Sequence, residues 1–162
     1  MKLFGIVLTA LSLIFSIPPY AAQAAGSILP VTVETVGRPV QVFDVTQGKV
    51  VAALPNTPEI QQEARQWINA IKGFAAQIKG EPKDGLVLRI ELAEPALLPP
   101  EISREPASEV FVIIHADPRR PAQLLLFTKK GQPLLVDTQA ELTPFLRKHD
   151  LLKYLKKSPS ST

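Results

Sequence analysis

Apolar side chains between residues 57 and 79 fall on one helical stripe. Ile60, Ala64, Trp67, Ile71, Phe74 and Ile78 recur at intervals of three or four, with Ile68 and Ala75 beside them. Gln61, Gln62, Arg65, Gln66, Asn69 and Lys72 occupy the other positions. Thr57 is placed to cap the first free backbone N–H groups, and Pro58 at the first helical position has no N–H to leave unpaired. Glu59 adds negative charge at the positive end of the helix dipole. Gly80 and Pro82 supply a stop. The pattern predicts a long amphipathic helix over 57–79.

Elsewhere the period is two. Val31–Glu34, Val40–Val45 and Lys49–Leu54 are expected as short strands, separated by turns at Gly37-Arg38-Pro39 and Gln47-Gly48. Leu86, Leu88, Ile90 and Leu92 alternate with Val87, Arg89 and Glu91 after the Lys83-Asp84-Gly85 turn. Val110–Ile114 and Leu124–Phe127 are continuously apolar, as central strands covered on both faces would be. Asp117-Pro118-Arg119-Arg120-Pro121 turns the chain between them, and Lys130-Gly131 leads into Leu134–Val136. The segment Glu94–Ser108 holds four prolines and reads as a loop. Thr143-Pro144 repeats the grammar of Thr57-Pro58 and opens a short terminal helix; a rival start at Thr138 with Glu141 would place Pro144 inside that helix. Strands grouped rather than alternating with helices predict an α+β fold: a mostly antiparallel sheet, one long amphipathic helix packed on a face, and a short C-terminal helix.

The first 24 residues need separate treatment. Lys2 precedes an uncharged apolar run, Leu3–Ile17, which is short for a membrane span of about 20 residues. Pro18-Pro19 breaks it, and Ala22-Gln23-Ala24 offers the small-x-small pattern of a cleavage site. The expectation is a signal peptide over 1–24, a single domain over 25–157, a polar tail over 158–162, and a secreted protein. The alternative for the leader is an uncleaved anchor. Without its leader the chain is ordinary in apolar content and large enough for one core without staples.

The absence of cysteine excludes a disulfide framework, cysteine-ligated zinc, iron–sulfur clusters, a thiol nucleophile and an acylated lipoprotein anchor. Two histidines, His115 and His149, are too few for a three-histidine metal centre. No phosphate loop, nucleotide fingerprint, Gly-x-Ser-x-Gly elbow or calcium loop is present, so no metal, cofactor or catalytic residue is assigned. Trp67 belongs to the apolar stripe and is expected in the core. Formal charge is +3, and the excess sits at the C-terminus, where Arg147, Lys148, Lys153, Lys156 and Lys157 face one acid, Asp150.

Leu54-Pro55-Asn56-Thr57-Pro58-Glu59-Ile60, a helix carrying Trp67, and Pro82-Lys83-Asp84-Gly85 before a strand resemble small exported proteins of Gram-positive, spore-forming bacteria. The resemblance covers about residues 48–136 and rests on caps and turns. It implies export and transfers no functional residue.

Three groups of residues carry a functional reading beside a plainer one. His115 at a strand end, with Asp117 near it and Arg119 and Arg120 beyond, has the residue types of a general base beside an anion clamp; the plainer reading is a solvated turn. Glu91, Glu94, Glu101, Glu105 and Glu109 could supply a carboxylate pair for glycoside hydrolysis, but their spacing fixes no geometry. The basic terminus could meet anionic lipid or wall polymer at about 1 kcal/mol per charge, or simply keep the helix end soluble. The leading expectation is a secreted, non-enzymatic binding domain, associated with the cell envelope, whose candidate contacts are Arg119, Arg120, Arg147, Lys148, Lys153, Lys156 and Lys157. Its partner is a protein or an anionic envelope component rather than nucleic acid. The alternatives are a small extracellular hydrolase built around His115 and Asp117, and an inhibitor or chaperone-like partner of another exported protein using loop 94–108 or turn 116–122.

Overall fold

A computed structural model of the chain describes residues 33–75 and 82–155. The leader, the Gly80 stop and Lys156 and Lys157 lie outside them. Seven strands form one sheet: β1 (Val40–Asp44), β2 (Lys49–Leu54), β3 (Ile71–Phe74), β4 (Leu86–Ala96), β5 (Ala107–Ile114), β6 (Gln123–Thr128) and β7 (Pro133–Thr138). Their spatial order is β2-β1-β4-β5-β6-β7-β3, and every neighbouring pair is antiparallel. Helix α1 (Pro58–Asn69) joins β2 to β3, while α2 (Thr143–Lys148) and α3 (Leu152–Leu155) follow β7. The chain thus leaves one edge strand, β2, and enters the other, β3, before filling the middle with a meander. Among the described residues no helix is long and apolar enough to cross a membrane.

The register places one row of side chains on the same face across five strands: Val42, Leu88, Val112, Leu124 and Val136, all fully buried. Ile60, Ala64, Trp67 and Ile68 of α1 and Phe145, Leu146 and Leu151 of the C-terminal segment join these residues in the same core. Trp67 meets Phe145 edge to face at 4.9 Å between ring centroids, so it is a core residue as its place on the stripe implied.

The long helix is not formed: α1 has 12 residues, and Ile71–Phe74 is a strand. Its N-terminal half follows the sequence, with Thr57 accepting from the Ile60 N–H at 3.3 Å and Pro58 in the first turn. The end is set by tertiary partners. The Thr138 hydroxyl donates to the carbonyls of Trp67 at 2.9 Å and Ala70 at 3.3 Å, and the Gln139 N–H donates to Ala70 at 3.0 Å. These are C-terminal helix carbonyls that continued helix would otherwise satisfy. A helix through residue 79 would be about 35 Å long, longer than the roughly 29 Å width of seven strands, and would carry the chain past β7. Ending it lets Ile71 pair with Thr138 and Phe74 with Val136, giving β7 its outer neighbour.

Other differences are smaller. Val33 and Glu34 are not strand, and Val31 and Thr32 lie outside the described residues. The segment expected as a loop over 94–108 is strand at both ends, and its interior buries Leu98 and Ile102 while Leu97 stays exposed. Thr143 is the first residue of α2 rather than its cap; Leu142 holds that position without a side-chain bond. The single terminal helix is two helices. Asp150, at φ 55, lets the Asp150 and Leu151 N–H groups close on the carbonyls of Arg147 and Leu146. This turn points α3 back toward β2, where the Tyr154 hydroxyl donates to the Val51 carbonyl at 3.2 Å.

Thr138→Val keeps the shape of this side chain and removes the hydroxyl that bonds the buried Trp67 carbonyl and the half-buried Ala70 carbonyl. The expected loss is about 1–3 kcal/mol in urea unfolding. An unchanged midpoint would show that the helix end does not depend on it.

Candidate functional site

His115 follows directly on β5 and is 7% exposed. Its position is set by a close backbone approach: Gly85, at φ +98, sits where a Cβ would lie 2.0 Å from the Ile114 carbonyl oxygen. Only a residue without a side chain fits there. The imidazole lines a groove of about 430 Å³. One wall is the β5–β6 turn, including Arg120 and Pro121. The other is formed by residues 139–142 and by Leu146, Leu152 and Leu155 of the C-terminal helices. Ala122 and Thr138 also line it, joined by the Thr138 N–H to Ala122 carbonyl bond at 3.2 Å.

Polar chemistry in this groove is sparse and specific. His115 Nδ1 is buried without a hydrogen-bond partner among the described residues. Burial, and secondarily the Arg120 charge, push the His115 pKa below its ordinary value; the Gln123 side chain and the carboxylates of Asp84 and Asp117 oppose this in part. His115 is therefore a neutral imidazole near pH 7.

The neighbouring charges of the turn have separate fates. Asp117 accepts two hydrogen bonds from the Arg119 guanidinium, at 3.0 and 2.9 Å, and a third from the Arg119 N–H at 3.0 Å. Those bonds pull the Asp117 pKa down to about 2. Asp117 is thereby committed to Arg119 and does not orient His115 as the carboxylate of a catalytic pair would. Arg120 lines the groove and has no carboxylate within ion-pair distance among the described residues.

Four of the five acidic residues are likewise partnered, and Glu101 has no cation within ion-pair distance among the described residues. Glu91 faces Arg38 at 3.8 Å, Glu94 faces Arg65 at 3.7 Å, Glu105 faces Lys130 at 2.5 Å and Glu109 faces Arg89 at 2.5 Å. Glu91 and Glu109 sit opposite each other across β4 and β5, but each holds its own arginine. Part of the basic terminus is also occupied: Lys148 pairs with Glu59, and Lys153 with Asp150 at 2.6 Å. Arg147 has no carboxylate partner among the described residues. Sequence reasoning found His115, Arg119 and Arg120 but missed the leucine wall of the groove, because Leu142, Leu146, Leu152 and Leu155 read equally well as core. Among the described residues no cluster of three metal-ligating side chains occurs.

The lowered pKa of His115 has a sign in stability. The unfolded chain takes up a proton near pH 6.5, whereas the folded state resists it, so folding loses stability as pH falls through that value. His149, packed on Phe145 at 4.4 Å and lowered first by burial and then by the Lys148 charge, acts in the same direction. The melting temperature is expected to fall on acidification from pH 7.5 to 5.5, and less steeply in His115→Gln. Parallel curves for the two proteins would remove His115 from the account. No family model matches this chain, and no curated protein or solved structure matches it.

Proposed function

We propose that this chain is an exported, non-catalytic binding domain whose ligand seat is the groove between the β5–β6 turn and the C-terminal helices. The observation that carries the reading is the groove itself. Four leucine side chains line a concavity of about 430 Å³ that also holds a nearly buried imidazole and an arginine without a carboxylate partner among the described residues. Small-molecule sites have this make-up, with a mainly apolar lining and a few placed polar groups. Binding is favoured over hydrolysis because Asp117 is held by Arg119 and Thr138 spends its hydroxyl on the end of α1. Export rests on the Leu3–Ile17 run and the Ala22-Gln23-Ala24 pattern. Attraction of the basic terminus to an anionic envelope surface is an auxiliary contact, and among its described residues Arg147 is better placed to carry it than the paired Lys148 and Lys153.

The test uses a neutral apolar fluorophore, N-phenyl-1-naphthylamine, titrated into the purified protein. Saturable binding is expected, and it should fall at least tenfold in Ala140→Trp, which fills the groove from one wall, and in Leu155→Arg, which places a charge on that wall. Melting curves establish that both variants fold. Binding that survives both changes in folded protein would show that the groove is not the seat.

A further inference from the structure

The groove is polar at one place and apolar along the rest, and that asymmetry bears on what fills it. Arg119 and Arg120 are adjacent, yet only Arg119 makes a direct ion pair, the bidentate contact with Asp117, which feels Arg120 through its charge alone. Arg120 keeps a full positive charge on the groove wall, close enough to His115 to act on its protonation. His115 beside it is held neutral and nearly buried, so it contributes no second positive charge. The charges reaching the ring come from Arg120 on the turn, from Asp84 on the β3–β4 connection and from Asp117 on the turn. Asp84 accepts the Ala116 N–H at 3.2 Å and does not line the groove. The rim's own carboxylate, Glu141, belongs to the β7–α2 connection on the other wall. A guanidinium with no carboxylate within ion-pair distance among the described residues, in a groove that leucines also line, is complementary to one negative charge on an apolar body.

We propose that the ligand is a small aliphatic carboxylate, its chain lying against Leu146, Leu152 and Leu155 and its head group paired with Arg120 next to His115. This rests on the groove being the seat, and it adds the chemical class of the occupant. The carboxylate brings a negative charge to the side of His115 that Arg120 now dominates, so binding raises the pH at which His115 takes up its proton.

Octanoate, octan-1-ol and octylamine are compared by calorimetry at low salt, with the His115 ring followed by NMR through a pH titration. Octanoate is expected to bind at least tenfold more tightly than the alcohol and the amine, and to shift the His115 midpoint upward. Arg120→Gln, a change on the exposed turn whose folding a melting curve establishes, should abolish that preference. Equal binding of octanoate and octan-1-ol, or an Arg120→Gln protein that still prefers octanoate, would overturn the carboxylate assignment with the groove still standing as a seat. Failure of every probe, the neutral fluorophore included, would instead overturn the groove reading. N-acetyl-leucyl-leucine is the last arm: tighter binding of this peptide than of octanoate would replace the free aliphatic acid with the C-terminus of an apolar peptide.

Discussion

Thr138 is where the helix, the sheet edge and the groove meet. Its hydroxyl receives the Ala140 N–H at 3.2 Å and donates to the carbonyls of Trp67 and Ala70, while its own N–H donates to Ala122. A hydroxyl with one hydrogen and two lone pairs is close to fully used by that set. Thr138 and the residues that follow it line the groove, and its strand partner Ile71 begins β3. Ending α1, pairing the outer edge of β7 and shaping one wall of the groove are therefore one constraint rather than three.

The other end of α1 is fixed by a comparable device. The Gln61 carboxamide accepts the Ala93 N–H at 2.9 Å and donates to the Glu91 carbonyl at 2.8 Å, which is how a neighbouring strand would meet β4. Asn56 supports it, receiving a bond from Gln61 at 2.7 Å and donating to the same Glu91 carbonyl at 3.0 Å. The β1 pairing with β4 reaches only Arg89, so the side chains of Asn56 and Gln61 satisfy backbone groups that the sheet leaves unpaired. Held at both ends by polar bonds, α1 can present Trp67 to Phe145 of α2. That contact in turn sets where Leu146 stands on the groove.

Six of the strands, all but β3, were legible because alternation and β-branched runs report burial on a face, and β2 spans the residues its pattern implied. The start of α1 was legible because capping is local chemistry carried by Thr57 and Pro58. Its end was not. Ile71 and Phe74 continue the helical stripe, while Ile71, Gly73 and Ala75 also fit a period of two, and the choice is made by Thr138 and β7 more than sixty residues away. Gln61 lies off the apolar stripe, and its role is not legible because a glutamine pairing with a strand backbone has the same letter as one facing water. The break in the terminal helix was hidden for a related reason: Asp150 takes a left-handed position that glycine usually marks.

The candidate site shows the same limit in its charges. Arg119 and Arg120 are indistinguishable in sequence, and both stood as candidate contacts. Geometry separates them, because the turn closed by the Arg120 N–H on the Asp117 carbonyl brings the Arg119 guanidinium onto the Asp117 carboxylate. Once that pair forms, one edge of the Arg119 guanidinium is engaged and Asp117 has little basicity to lend His115. Arg120 makes no direct ion pair among the described residues and stands beside an imidazole whose burial keeps it neutral. An enzyme built on this turn would need Asp117 turned toward His115, and the Arg119 pairing opposes that motion. A receptor for an anion needs one arginine held out of ion pairs and an apolar wall beside it, which is the arrangement the turn and the C-terminal helices make together.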